Sequence, residues 1–148
     1  ISLGMHVAVI EFARNVLGIT NADSTEFNKS CTPVINSMDD SDSEAWRLGA
    51  YRCVIAPDSR AYEIFGTDTI TERHRNRHKM DIAHREKFEQ AGMKISATSP
   101  DGAIPEFIEI PSHPFFVAGQ FHPEFQSSPY HGHPMFNAFI AAASKNHK

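Results

Sequence analysis

His122 and Glu124 are the first residues whose types and spacing suggest chemistry. They stand two apart, just beyond the apolar run Pro114-Phe115-Phe116-Val117-Ala118 and the segment Gly119-Gln120-Phe121. The run has the length of a buried strand. Pro123 cannot extend a hydrogen-bonded ladder, so the strand is expected to stop at His122, at the sheet's edge. An imidazole and a carboxylate fixed at a strand end are the parts of a general base with its orienting partner. A strand end meeting a polar loop also carries such a histidine without any catalytic role, and the pattern alone leaves both readings open.

The second candidate is Ser2. Apolar residues at Met5, Val9, Phe12, Ala13, Val16 and Leu17 recur at steps of three and four, which is helical spacing. Gly18 follows as a C′ residue, so a helix is expected directly after Ser2-Leu3-Gly4. With a strand before Ile1, Ser2 would lie on a strand-to-helix elbow that holds a nucleophile clear of the sheet, beside helix N-terminal amides. The plainer alternative is a serine serving as N-cap.

The elements that must position these residues follow in order. Asn21 to Asn36 is polar, and Ser37 to Glu44 (SMDDSDSE) is acidic and reads as an exposed loop without EF-hand spacing. Trp46 to Ile55 reads as a strand and Ser59 to Phe65 as a short helix before Gly66. Thr69 to Thr71 leads into the basic run Glu72-Arg73-His74-Arg75-Asn76-Arg77-His78-Lys79. That run suits phosphate, RNA or nucleotide, or is simply a solvated strand. Asp81 to Ala91 should be a helix capped by Gly92. Met93 to Thr98 and Glu106 to Ile110 should be strands joined through the turn Ser99-Pro100-Asp101-Gly102. A loop at Gln126 to His131 and a last amphipathic helix from Pro134 to about Ala143 complete the chain. Alternating β and α elements with a strand-end site make the doubly wound α/β class the expected fold.

Composition narrows the function classes. A chain of 148 residues with 41% hydrophobic and 22% charged residues is one ordinary globular domain at most. The net charge of −4 argues against a general nucleic-acid or acidic-membrane binder. No apolar run reaches the length of a membrane span. Cys31 and Cys53 fall in no metal spacing and read as free thiols of a cytoplasmic protein, with a disulfide as the alternative. His131/His133 and His74/His78 are the close histidine pairs, with no acidic or thiol partner at ligand spacing, so no metal site is expected. The chain starts at Ile1, without Met, inside what reads as an element, and is expected to be a truncated piece.

Several strings also resemble a known family. QFHPEF, at Gln120 to Phe125, is similar to the His-x-Glu segment of class I glutamine amidotransferase domains. The fuller run from Phe115 through His133-Pro134-Met135-Phe136 resembles the glutaminase domains of the CTP synthase family. Ile1-Ser2-Leu3-Gly4-Met5-His6 is similar to their G-I-C-L-G-M-Q, Asn21 to Phe27 to N-A-N-S-T-E-F, Arg47-Leu48-Gly49 to part of M-R-L-G, and Glu72 to Lys79 to E-R-H-R-H-R-Y-E.

The resemblance implies a class I amidotransferase-like fold, with a doubly wound, mostly parallel sheet flanked by helices and incomplete at the N-terminus. Residues 1–148 would be the C-terminal part of one such domain, lacking its start, its glycine-rich oxyanion loop and the synthetase domain. It implies L-glutamine as ligand, with Leu3, His6, Glu26 and Arg77 binding it, Glu26 at the amino group and Arg77 at the carboxylate. His122 and Glu124 would be catalytic, and Ser2 falls where the family has its cysteine nucleophile. It implies ATP and magnesium in the absent synthetase domain, GTP as an allosteric activator, and a homotetramer formed through that domain.

The departures matter as much. His6 replaces a Gln, Asn76 a His, and His78-Lys79-Met80 a Tyr-Glu-Val. A thiol ionises near neutrality beside a His or a helix terminus, whereas a serine hydroxyl does not. Oxygen in a sulfur-adapted site should lower the rate by several orders of magnitude. Little or no glutaminase activity is therefore expected. The alternative is a non-catalytic amidotransferase-like binding module. Apolar faces left bare by missing strands should make the isolated chain unstable or aggregation-prone.

Overall fold

A computed structural model of the chain describes residues 1–38 and 46–145. Most of the acidic run Ser37 to Glu44 lies outside the described residues. The elements are α1 (Leu3–Asn15), β1 (Ala22–Ser24), β2 (Thr32–Ser37), β3 (Arg47–Ile55), α2 (Arg60–Phe65), β4 (Thr69–Asn76), β5 (His78–Met80), α3 (Arg85–Gln90), β6 (Lys94–Thr98), β7 (Pro105–Glu109), β8 (Val117–Gly119) and α4 (Pro134–Lys145). Short 3-10 turns occupy Ile82–His84 and Pro123–Gln126.

One sheet runs in the order β4-β3-β6-β7-β8 and a smaller one in the order β1-β2-β5. The α/β class stands, but the expected predominance of parallel pairing does not hold for these ladders. Only β1 with β2 is parallel, and every other ladder is antiparallel. β6-β7 and β7-β8 follow one another through loops that reverse the chain, which pairs these strands antiparallel.

β7 explains how the layers hold. All five of its residues are buried. Phe107 joins a cluster with Cys53, Ile55, Ala61, Phe121 and Met135, and Ile108 joins a separate one with Met5, Val9, Phe12, Phe88 and Ile95. Successive strand residues point to opposite faces, so this strand is covered on both sides. α1 and α3 supply residues to one cluster, α2 and α4 to the other.

Local chemistry accounts for the element ends. The Ser59 hydroxyl caps α2 by accepting from the Tyr62 amide, and Gly66 closes the helix at φ 67°. The helix expected over Asp81 to Ala91 is divided. Asp81 caps a 3-10 turn by accepting from the Ala83 amide, and α3 begins only at Arg85. α1 starts at Leu3, slightly earlier than its apolar periodicity suggests. β1 and β2 lie within the stretch read only as polar. The strand before His122 is shorter than expected. β8 spans three residues, because Pro111 to Phe116 is taken up by turns and beyond Gly119 the backbone changes partner. The Gln120 amide still reaches Glu106 O at 2.8 Å, but the His122 amide bonds Arg73 O at 2.8 Å, on β4.

Candidate functional site

β4 is the element from which the site is hung. Its alternation sends Glu72, His74 and Asn76 inward and Arg73 and Arg75 outward. The inward residues are polar and buried, so each needs a partner. The Glu72 carboxylate accepts from His133 Nε2 at 2.9 Å and from Gln126 Nε2 at 2.6 Å. His133 Nδ1 accepts from the Met135 amide, which leaves the ring proton on Nε2 facing Glu72. His74 is held between the Glu72 carbonyl at 2.9 Å and the Glu106 carboxylate at 2.8 Å. Arg47, from β3, closes an ion pair on the other oxygen of Glu106. These bonds fix β4 to its neighbours and to the 3-10 turn that follows His122.

Cys53, His74 and Glu106 bring three potential ligand atoms within 4.8 Å of one another, a grouping that spacing along the chain does not reveal. Its carboxylate is engaged by Arg47. Burial pushes the Cys53 thiol far above its ordinary range, with the Glu106 charge adding to the shift, so no thiolate is on offer. The cluster is a structural ion-pair network.

The cleft beside β4 has a volume of about 390 Å³ and is lined by Ser2, Leu3, His6, Glu26, Trp46, Arg75, Asn76, Arg77, His78 and His122, together with Ile1. Six of the seven residues proposed from the sequence therefore meet in one place. The seventh, Glu124, stands directly behind it: His122 Nδ1–H donates to Glu124 Oε1 at 2.6 Å, which leaves Nε2 as the basic nitrogen.

Ser2 adopts φ 48° and ψ −109°, and among the described residues it is the one non-glycine with positive φ. Such strain is typical of an elbow that presents a side chain. Its amide is pinned to Gly119 O at 2.7 Å. The N-cap alternative fails, because the hydroxyl makes no capping bond. Ser2 Oγ accepts instead from Asn76 Nδ2 at 3.1 Å. The same Nδ2 donates to the Gln120 carbonyl at 3.1 Å, and a carbonyl can only accept, which fixes which end of the amide faces Ser2.

His6 is buried, and its Nε2 bonds Gln120 Oε1 at 2.9 Å, while Gln120 Nε2 donates to His78 O at 2.7 Å. Burial lowers the His6 pKa; the Gln120 bond opposes this, and the His78 charge adds to it. Glu26 remains half-exposed, 3.5 Å from His78 Nδ1. The Arg77 guanidinium lies over the Trp46 ring at 3.8 Å from its centroid. Trp46 went unread as a site residue because its partners are distant along the chain. The ladder register that pairs Arg47 with Asn76 brings them together. The cleft lining thus combines a carboxylate, a guanidinium, a hydroxyl and an imidazole, a set of groups that suits a small zwitterion.

Comparison with known proteins identifies the family. Residues 1–142 match the family described as glutamine amidotransferase class-I. The CTP synthase of Rubrobacter xylanophilus is 47% identical over 145 residues, covering 95% of this chain and 26% of that protein. The CTP synthase of Picosynechococcus sp. is 47% identical over 152 positions, covering 99% of this chain and 27% of that protein. A solved structure of the Trypanosoma brucei CTPS glutaminase domain with bound acivicin superposes with TM-score 0.91 at 40% identity, covering 99% of this chain and 60% of that one. The chain thus spans about a quarter of the length of the curated relatives it matches, and its similarity is to the glutaminase domain of such enzymes. It belongs to the glutamine amidotransferase class-I family.

Proposed function

We propose that the cleft is the glutamine site of a CTP synthase glutaminase domain whose nucleophile position holds a hydroxyl, so that it binds L-glutamine and turns it over little or not at all. The supporting observation is that Ser2 on its elbow, His122 backed by Glu124, and the opposite charges of Glu26 and Arg77 line a single cleft. Glu26 faces the α-ammonium group and Arg77 the α-carboxylate, for which a planar fork of donors is suited. The side-chain amide of glutamine then points to Ser2. The Leu3 amide, next after the nucleophile position, is the backbone donor available to a developing oxyanion.

In the family reaction a cysteine sulfur attacks the amide carbonyl, and His122 would pass the proton to the departing nitrogen. Ammonia leaves, and water cleaves the thioester to glutamate. Glu124 would orient His122 and stabilise its protonated form. The ammonia would serve a synthetase domain that aminates UTP using ATP and magnesium in the cytoplasm. GTP would act as allosteric activator, and that domain would assemble a homotetramer.

A second reading, a binding module without catalysis, is favoured by one observation. The Ser2 hydroxyl is engaged by Asn76, and His6 is locked to Gln120. Both Asn76 and His6 depart from the family's strings.

Calorimetric titration of the protein with L-glutamine tests ligand identity. Saturable binding is expected, weakened at least tenfold by Arg77→Ala and by Glu26→Ala, each of which removes a charge-assisted contact. A wild-type protein that takes up no glutamine would rule the reading out.

A further inference from the structure

Trp46 is the one tryptophan in this chain, and it stands where M-R-L-G, the family string that Arg47-Leu48-Gly49 resembles, has its methionine. Its indole forms part of the cleft wall. Arg77 lies over the ring with its guanidinium carbon 3.8 Å from the centroid, and Arg75 lies over it at 5.2 Å. The placement follows from the sheet. Arg47 pairs with Asn76, so the next residues outward, Trp46 and Arg77, are neighbours across the ladder. Arg75 lies two positions back, on β4, and its guanidinium reaches the same ring.

A guanidinium laid on an indole is held by its flat face, while its N–H donors all lie at the rim. Stacking therefore fixes the plane of Arg77 without using the groups that would grip a carboxylate. An arginine already held in one orientation loses less freedom when the ligand arrives. Methionine has no π face and does not orient a cation in this way.

We propose that Trp46 is a positioning residue for the ligand's carboxylate. It sets the Arg77 fork by stacking, and so the preference of the cleft for amino acids with a free α-carboxylate depends on Trp46 and Arg77 together. This rests on the reading of Arg77 as the carboxylate contact. The two can fail separately.

The test compares binding of L-glutamine with that of its α-carboxamide, which lacks the negative charge, in the wild type, Arg77→Ala, Trp46→Ala and Trp46→Phe. The wild type should prefer glutamine, and Arg77→Ala should erase the preference. Trp46→Ala should weaken glutamine binding by about three- to tenfold with little change for the carboxamide, and Trp46→Phe should recover most of the loss. Glutamine, but not the carboxamide, should also shift the Trp46 emission. Should the alanine variant fail to fold, Trp46→Met gives the same comparison, since it keeps bulk without a π face, and the preference must still shrink. If Trp46→Ala, or Trp46→Met in its place, weakens both ligands equally or neither, the positioning role is wrong. A preference lost in Arg77→Ala but intact in the Trp46 variants overturns the inference alone. A wild type with no preference overturns the Arg77 reading and the inference with it.

Discussion

The Ser2 hydroxyl stays protonated at neutral pH, where a thiol paired with an imidazole ionises. Its one hydrogen bond among the described residues comes from Asn76 rather than from His122. The motif residues Ser2, Glu26, Arg77, His122 and Glu124 were legible in the sequence because each sits inside a short distinctive string. The Asn76 bond and the Trp46 stack were not, because they join residues 74 and about 30 positions apart. His6 supports a pH prediction. Burial lowers its pKa in the folded state, with His78 adding to the shift and the Gln120 bond and Glu26 opposing it. Between that lowered value and the ordinary histidine value near ~6.5 the unfolded chain binds more protons, so stability rises with pH there. The contribution is present above ~6.5 and is lost as pH falls toward the folded value. Urea midpoints measured from pH 7.5 down to 5 should therefore decline. In His6→Gln, which keeps a hydrogen-bonding side chain without a titrating ring, the decline should be shallower; an unchanged slope would count against the assignment.

At the scale of elements, β4 combines two roles in one alternation. Its outward Arg75 lines the cleft, and its inward Glu72, His74 and Asn76 tie the strand to α4's start, to β7 and to the Ser2 elbow. The buried Glu106 carboxylate is shared by Arg47 and His74, and removing it is costly because the buried Arg47 guanidinium loses its ion-pair partner. Glu106→Ala should therefore lower unfolding stability by about 3–5 kcal/mol, read from chemical denaturation, whereas Glu63→Ala on the surface of α2 should change it little. Most elements were legible from hydrophobic spacing and from caps such as Ser59, Gly66 and Asp81. β1 and β2 were not, because they are short and largely polar, and their pairing depends on partners elsewhere in the chain. The strand leading to His122 was overextended for a related reason. Its apolar run is real, but Pro111, Pro114 and the turns between them delay pairing until Val117. A methyl group added at Gly119 would meet the Phe121 ring at 3.0 Å, so this strand end is also tightly packed.

For the molecule as a whole, large apolar side chains remain on the surface of both outer helices. Leu3, Val7 and Val16 on α1 and its end are more than half exposed, as are Phe139 and Ile140 on α4. Produced as these 148 residues alone, the chain should self-associate, with light scattering showing species larger than a monomer. A soluble monomer with one cooperative melting transition would contradict that. No helix of the described residues is long and apolar enough to cross a membrane. The most direct test of a glutamine cleft disarmed at its nucleophile is ammonia release from L-glutamine by these residues within a complete glutaminase domain, before and after Ser2→Cys. Release should be near background with Ser2 and several orders of magnitude higher with cysteine, and that gain should be lost when His122→Ala is added. Release by the Ser2 protein equal to that of the cysteine variant, or a cysteine variant that binds glutamine and stays silent, would contradict that expectation.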